Sequence, residues 1–176
     1  MTLALRLAVE ADPPALKRLM ERAIDTLLSP WLDPAQVRAS HAIMGLDTQL
    51  IADRTYFVVT VAGAVAGCGG WSRRATLYGG DHSIELREPR LLDPRIEAAR
   101  VRAMYTDPDF VRRGVGRLIL QACEDAARTE SFASAELMAT LAGEPLYAAA
   151  GYRPVDRVTD ATGGAPVPLI RMRKSL

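Results

Sequence analysis

Short stretches rich in β-branched and aromatic residues alternate along the chain with longer stretches in which apolar residues recur every three or four positions. The first kind predicts strands and the second predicts helices. The predicted strands cover residues 3–9, 55–62, 64–72, 100–106, 134–141, 152–158 and 167–174. The predicted helices cover residues 13–29, 34–45, 114–129 and 145–150. The resulting order, β-α-α-β-β-β-α-β-α-β-β, predicts a single mixed α/β domain that spans residues 1–176.

Asp, Pro and Gly residues mark the boundaries of these elements. Asp12 precedes two prolines, which is the pattern of a helix cap followed by proline in the first turn. Gly63 separates the second and third strands, so these two are predicted to form a hairpin. Gly151 follows the short fourth helix and is expected to end it in the left-handed conformation. Residues 73–99 show no clear periodicity, and a connection of that length in a compact domain is usually functional.

The composition is that of an ordinary globular protein, and it excludes several classes. The chain has 49% hydrophobic and 24% charged residues, with 22 Lys and Arg against 21 Asp and Glu. A net charge of +1 gives no overall field for nucleic acid or an anionic membrane, so neither partner is expected. No stretch reaches the roughly 18 uninterrupted apolar residues of a membrane span. The first residues lack the pattern of a signal peptide, so a cytoplasmic location is expected.

Cysteine and histidine usage predicts no metal site. The chain contains two cysteines, Cys68 and Cys123, and two histidines, His41 and His82. Each cysteine lies in an apolar stretch, which favours a small buried side chain in a reducing compartment. No structural zinc site is therefore expected.

The segment MYTDPDFVRRGVGRLIL at residues 104–120 carries the strongest chemical signal. It has the pattern of a strand, a break at Asp107-Pro108 and a helix that begins at glycines. Glycines at a helix start let the backbone approach a ligand closely, and the free N–H groups of the first turn favour an anion together with the helix dipole. Arg112, Arg113 and Arg117 add charged donors around the same point. These features predict a binding site for a pyrophosphate.

Two common nucleotide-binding motifs do not fit this segment. A Walker loop needs Gly-Lys-Ser/Thr, and a Rossmann fingerprint needs a third glycine where Ile119 stands. The segment instead resembles the acetyl-CoA signature of the GCN5-related N-acetyltransferase (GNAT) superfamily, Gln/Arg-x-x-Gly-x-Gly/Ala. Gly114 and Gly116 match its two small positions, whereas Val111 stands where Gln or Arg is usual. The resemblance extends to the segments LRLAVEADPPALKRLM and ELMATLAGEPLYAAAGYRPV. The stretch from GCGGWSRR through ARVRAMYTDPDFVRRGVGR to ELMATLAGEPLY resembles a bacterial subgroup of the superfamily with unknown acceptors.

The resemblance implies a GNAT fold, with a central, mixed, mostly antiparallel sheet of six or seven strands, flanked by about four helices and splayed between the fourth and fifth strands. It also implies acetyl-CoA as the acetyl donor. The backbone of Met104, Tyr105 and Thr106 would then pair with the pantetheine arm like an added strand, and an amide N–H there would polarise the thioester carbonyl. The implied pyrophosphate site consists of Arg112, Arg113, Gly114, Val115, Gly116 and Arg117.

The resemblance marks a general acid but no general base. Tyr147 would protonate the departing CoA thiolate, and the alternative is an aromatic side chain packed between helix and sheet, as is expected of Tyr152. Arg100 stands where relatives often have a glutamate that takes the amine proton. The expected outcome is a base that acts through water, or an amine that arrives neutral. The remaining candidates for a base are Glu97, Glu85, Asp93 and His82.

The irregular segment 73–99 is expected to flank the acceptor pocket, or alternatively to form a solvated loop or an oligomer contact. The whole chain is accordingly interpreted as an N-acetyltransferase that transfers the acetyl group of acetyl-CoA to a primary amine of a small molecule by direct attack on the thioester. The alternatives are a peptide or protein N-acetyltransferase and a non-catalytic acyl-CoA-binding module. The sequence also leaves open a homodimer.

Overall fold

The computed structural model describes all 176 residues and contains one sheet of seven strands with five α-helices. The strands are β1 (Leu3–Leu7), β2 (Tyr56–Val61), β3 (Ala64–Ser72), β4 (Ala99–Thr106), β5 (Ser134–Thr140), β6 (Arg153–Asp160) and β7 (Val167–Ser175). The helices are α1 (Pro13–Leu27), α2 (Pro34–Ile43), α3 (Thr48–Ala52), α4 (Val115–Thr129) and α5 (Glu144–Ala149). None of the helices has the length and apolar character needed to span a bilayer.

The sheet opens in its middle, between β4 and β5. The strand order is β1-β2-β3-β4-β5-β7-β6, and every neighbouring pair is antiparallel except β4 and β5. These two strands are parallel and pair only at Ala99 with Ala135 and at Arg100 with Glu136. Beyond Arg100 the strands separate. The mixed, mostly antiparallel, splayed sheet that the resemblance implied is therefore confirmed.

One extra residue in β4 changes the direction of the side chains in its second half. Gly70 lies opposite Arg102 and Cys68 lies opposite Tyr105, so two steps along β3 match three steps along β4. Ala103 lies in this bulge, and its φ of 50° is in the left-handed region. As a result Arg102 and Tyr105, three positions apart, both form hydrogen bonds to the segment between α2 and α3.

The two faces of the sheet carry separate hydrophobic cores. Helix α4 covers one face, where Ile119 and Cys123 are fully buried. Helix α1 covers the other face, where Leu16 and Met20 pack in a cluster with strand residues that include Cys68. Both cysteines are buried and free, as expected, and desolvation raises the pKa of the Cys68 thiol to about 12. The sheet thus separates the α4 side from the α1 side except where β4 and β5 diverge.

The predicted order of elements is confirmed, with two corrections. Helix α3 adds a fifth helix that the periodicity did not indicate, because it is only five residues long. Asp12 occupies the N-cap position of α1 with proline in the first turn, as predicted, but its side chain does not cap the helix. Both carboxylate oxygens accept hydrogen bonds from Arg6 at 2.8 Å, and one also accepts the Val9 N–H. A bidentate guanidinium pair is a stronger interaction than a single cap hydrogen bond. Asp33, by contrast, does cap α2.

Candidate active site

The start of α4 presents free backbone donors to an open surface. Gly114 precedes the helix with a φ of 84°, and no side chain caps the first turn. The N–H groups at the beginning of an α-helix have no partner within the helix. A Cβ built on Gly114 would meet no atom within 4 Å, so the space beside the helix start is empty. This geometry suits the close approach of an anionic group.

Three arginines lie at this helix start without a carboxylate partner. Arg112, Arg113 and Arg117 are exposed, and none of them forms a salt bridge, whereas thirteen other Lys and Arg residues do. The Arg113 guanidinium lies over the Phe110 ring and donates to the Met1 sulfur. Positive charge that no acidic side chain offsets is therefore concentrated where the helix offers its N–H groups.

Gly116 serves packing in addition to any ligand contact. A Cβ on Gly116 would lie 3.0 Å from Cδ2 of Leu146 in α5 and 3.7 Å from Oγ1 of Thr106. The absence of a side chain thus lets α4 approach α5 and the end of β4. The sequence pattern predicted close backbone approach at both glycines, but only Gly114 has open space beside it. Val115, between them, is buried and can offer a ligand only its backbone.

The candidate pantetheine-binding edge is the part of β4 that has left β5. Met104 and Thr106 lie in this part, as does Tyr105, whose side chain is buried. The Tyr105 hydroxyl accepts a hydrogen bond from the Gly45 N–H at 2.8 Å, which fixes the strand against the segment after α2. A strand with one unpaired side can take up an extended ligand as an additional strand.

A cavity of about 110 Å³ lies between the diverging strands. It reaches from α5 on one side of the sheet to the segments 43–45 and 77–79 on the other. Most of its lining is apolar, and Arg102 is the only charged residue in it. The lining residues are Ile43, Met44, Gly45, Leu77, Tyr78, Gly79, Val101, Arg102, Ala103, Met104, Tyr105, Leu137, Met138, Thr140, Gly143, Tyr147 and Leu169.

Tyr147 of α5 forms part of the cavity wall. Its ring packs edge-on against that of Tyr152 at 6.0 Å between centroids, and its side chain is 8% exposed. No hydrogen bond within the chain involves its hydroxyl. Burial raises the pKa of this phenol above its usual value, so it stays protonated at neutral pH and can act as a donor. Tyr152 is buried in the core, as expected.

Two of the four candidate bases are bound to arginines and lie outside the cavity lining. Arg90 binds Glu97 through two hydrogen bonds, and Arg95 binds Asp93 in the same way. These hydrogen bonds lower the pKa of Glu97 to about 2 and that of Asp93 to about 2. A carboxylate with so low a pKa has little tendency to take a proton from an amine.

The other two candidates are also absent from the cavity. Glu85 lies in a short exposed 3-10 turn. His82 and His41 line a neighbouring groove of about 420 Å³ beside α1 and α2, which shares Met44 and Gly45 with the cavity. The His82 Nε2 there lies 2.7 Å from the His41 carbonyl oxygen. Arg100, which stands where relatives often have a glutamate, forms an ion pair with Glu136 at 3.0 Å. None of the carboxylates lines the cavity.

Known proteins share this architecture. A family model described as an acetyltransferase (GNAT) domain matches residues 52–154, which include β2 through α5. The chain belongs to the GNAT acetyltransferase family. A comparison with curated protein sequences finds no significant match.

Three solved structures are similar to this chain over almost their whole length. A GCN5-related N-acetyltransferase from Rhodopseudomonas palustris, described as an aminotransferase of class II, has a TM-score of 0.74 at 21% identity, over 100% of this chain and 97% of that one. PaiA N-acetyltransferase from Thermoplasma acidophilum, solved with coenzyme A, has a TM-score of 0.68 at 11% identity and covers 100% of both chains. YncA from Salmonella typhimurium, solved with its cofactor acetyl-CoA, has a TM-score of 0.65 at 18% identity, over 100% of this chain and 95% of that one. At these identities the likeness shows the fold.

Sequence reasoning missed part of this GNAT site. The expectation that segment 73–99 flanks the cavity holds for residues 77–79, whereas Ile84, Leu91 and Ile96 of the same segment are exposed. Arg102 was not a candidate, although it is the one charged residue in the cavity. Its position two residues after Arg100 on a strand was the only signal, because alternate residues of a strand share a face.

Proposed function

We propose that the protein is an acetyl-CoA-dependent N-acetyltransferase that acts on the primary amine of a small molecule. The observation that carries this proposal is the cavity at the splay of β4 and β5, with the unbonded Tyr147 hydroxyl in its wall and the open start of α4 nearby. The end of β4 is adjacent to that helix start, since Thr106 lies close to Gly116. A single extended molecule could therefore bind along the edge of β4 and place its phosphates at the start of α4.

The residues at α4 suit the pyrophosphate of CoA. The N–H groups of Val115, Gly116 and Arg117 would donate to its oxygens, and Arg112 and Arg113 would supply positive charge. The backbone of residues 104–106 would bind the pantetheine arm. Acetyl-CoA then supplies an acetyl group that is activated as a thioester.

Transfer requires one proton to be gained by sulfur and one to be lost by the amine. The amine nitrogen forms the new C–N bond to the carbonyl carbon, and the C–S bond breaks with its electron pair on sulfur. The Tyr147 hydroxyl would donate a proton to this thiolate, and solvent would restore it. The proton of the amine passes to solvent, because no carboxylate lines the cavity. An amine that is already neutral is thus the reactive form.

The walls of the cavity favour a small acceptor. Residues 43–45 and 77–79 line its far side, and Ile43, Met44 and Leu77 make that side apolar. An acceptor with an apolar body would displace water from these side chains, which favours its binding.

The test is release of CoA thiol from acetyl-CoA in the presence of a panel of small amines. We expect release above the amine-free rate for at least one amine, with the acetylated amine as the second product. Binding of acetyl-CoA without any amine-dependent release would instead support the non-catalytic acyl-CoA-binding module.

A further inference from the structure

The single charged residue in the cavity is a buried cation. The Arg102 side chain is 2% exposed. Its Nη2 donates to Asp47 Oδ2 at 2.9 Å and to the Gly79 carbonyl at 2.7 Å, and its Nη1 donates to the Thr76 carbonyl at 3.4 Å. A guanidinium has five N–H donors. The Nε–H and one Nη1–H of Arg102 therefore have no acceptor within the chain.

Asp47 does not neutralise this region, because it is shared. Its second oxygen, Oδ1, accepts a hydrogen bond from Arg87 at 3.2 Å, so two guanidinium groups surround one carboxylate. The Asp47 side chain is 2% exposed, and Arg87 Nη1 is a buried donor without any partner. The cluster carries a net charge of +1, since two cations face one anion.

Two guanidinium groups also share one carboxylate where β4 pairs with β5. Glu136 is shared by Arg100 at 3.0 Å and Arg171 at 3.1 Å. Two carboxylates bind side chains of the lining: Asp47 accepts from Arg102, and Asp160 accepts a hydrogen bond from the Tyr78 hydroxyl. A positively charged acceptor would thus meet positive charge at the cavity, at a cost that is larger there than in water.

We propose that Arg102 binds a carboxylate of the acceptor, so that the substrate is a small amine that also carries an acidic group, with an apolar body. This inference rests on the proposed function and specifies its substrate class. A carboxylate would accept an unpaired N–H donor of Arg102 and offset the net charge of the cluster. Apolar α-amino acids have this combination of groups, whereas polyamines and simple alkylamines do not.

The cavity has apolar side chains on two sides, which would contact the apolar part of such an acceptor. Met138 and Leu169 line the cavity on the β5 and β7 side, and Ile43, Met44 and Leu77 line it on the other. A polar or charged body would lose its hydration against these side chains without compensation. The chemistry of the cavity therefore favours one acidic group and an apolar remainder.

Equilibrium binding tests the inference without any need for turnover. The probes are N-acetyl-L-phenylalanine and N-acetyl-L-phenylalaninamide, which differ only in the carboxylate and have no titrating amine. N-acetyl-L-alanine and its amide form a smaller pair for the case that the phenyl ring is too large. Calorimetry with the protein, with and without CoA, should give an affinity about tenfold or more higher for the acid than for the amide, as a charged hydrogen bond provides.

Variants locate the preference at the cluster. In Asp47→Asn combined with Arg102→Gln, both charges of the buried pair are removed together, and the acid should lose its advantage over the amide. In Arg87→Gln, the ion pair between Arg102 and Asp47 remains and the net charge of the cluster falls from +1 to zero. The ratio of affinities for acid and amide should therefore decrease severalfold. Arg153→Gln removes one charge from an exposed residue on β6 and should leave the ratio unchanged.

Equal affinity for acid and amide, tighter binding of the amide, or no binding of any probe would each overturn the proposal. A preference that survives in the Asp47→Asn, Arg102→Gln protein would also overturn it. Failure of the proposed function is a separate result, because it would show as the absence of amine-dependent thiol release whatever the probes do.

Discussion

Arg100 of β4 and Glu136 of β5 are the last residues that join these two strands: they lie opposite each other in the sheet, and Arg100 Nη1 donates to Glu136 Oε2 at 3.0 Å. The strands diverge from this point, so the ion pair lies where the cavity begins. Sheet pairing and side-chain pairing together hold the strands at one end of the splay.

Glu136→Gln should lower the stability of the fold. The Arg100 and Glu136 side chains are 15% and 9% exposed, and the substitution leaves both Arg100 and Arg171 without a carboxylate. We expect the free energy of unfolding to fall by about 3 kcal/mol, as for other broken buried pairs. Glu130→Gln, which breaks the more exposed pair with Arg73, should cost less than about 1 kcal/mol. Urea denaturation of the two variants measures the difference, and equal losses would contradict the role given to Glu136.

Gly114→Ala should weaken CoA binding selectively. Gly114 and Gly63 share a φ of 84°, and a Cβ on either meets no atom within 4 Å. Alanine at either position is thus strained to a similar degree, and both variants should lose about 1 kcal/mol of stability or slightly more. Only Gly114 adjoins the free N–H groups of α4, so only Gly114→Ala should reduce CoA affinity, by about tenfold for a lost charged hydrogen bond. Calorimetric titration with CoA compares the variants, and equal affinities would exclude the pyrophosphate site.

Tyr147→Phe should slow the reaction and leave the fold unchanged. The hydroxyl has no hydrogen-bond partner in the chain, so its removal leaves no group unsatisfied. Turnover should fall by roughly 10²-fold, the low end for loss of a general acid, while the KM for acetyl-CoA stays constant. Steady-state kinetics measures both constants.

Tyr105→Phe is the matched control for this variant. The Tyr105 hydroxyl accepts the Gly45 N–H, and its loss should lower the free energy of unfolding by about 1–2 kcal/mol. The expected pattern is therefore lost turnover in Tyr147→Phe and lost stability in Tyr105→Phe. Unaltered turnover in Tyr147→Phe would show that this ring only packs in the core.

The pH dependence should follow the acceptor amine. With pKa values of about 2, Glu97 and Asp93 are ionised throughout the neutral range and do not titrate there. A lysine-like amine has a pKa near 10.4, so its neutral fraction rises about tenfold per pH unit between pH 7 and 9. We expect kcat/KM for the acceptor to rise in proportion, and to level off earlier for an amine of lower pKa. Profiles for two amines that level off at one shared pKa would reveal a base in the protein.

Local sequence patterns predicted most helices and strands, because the formation of these elements depends on neighbouring residues. The glycines at the start of α4 and the apolar stripe within it predicted that helix within one residue, since capping and periodicity act over a few positions. Asp12 shows the limit of this reasoning. Its partner Arg6 precedes it in the chain, and nothing in a capping pattern distinguishes a carboxylate that binds a helix from one that binds a guanidinium.

The contents of the cavity depend on contacts that no local pattern records. Arg102 and Asp47 are 55 positions apart in the sequence, and the bulge at Ala103 brings Tyr105 to the same segment that Arg102 contacts. Alanine is not a residue that marks a left-handed conformation, so the bulge had no sequence signal. Tyr147 was marked only through the family resemblance, and its unbonded hydroxyl is visible only in three dimensions.

A single-turnover experiment with acetyl-CoA that carries a deuterated acetyl group tests the central claim most directly. Excess protein is mixed with this donor and a set of small apolar amines, with and without a carboxylate, and mass spectrometry follows the label. We expect the label to leave CoA and appear in the acetylated amine in equal amount, at a rate that falls in Tyr147→Phe. Label that stays on CoA, or that appears only as free acetate, would contradict acetyl transfer in this cavity.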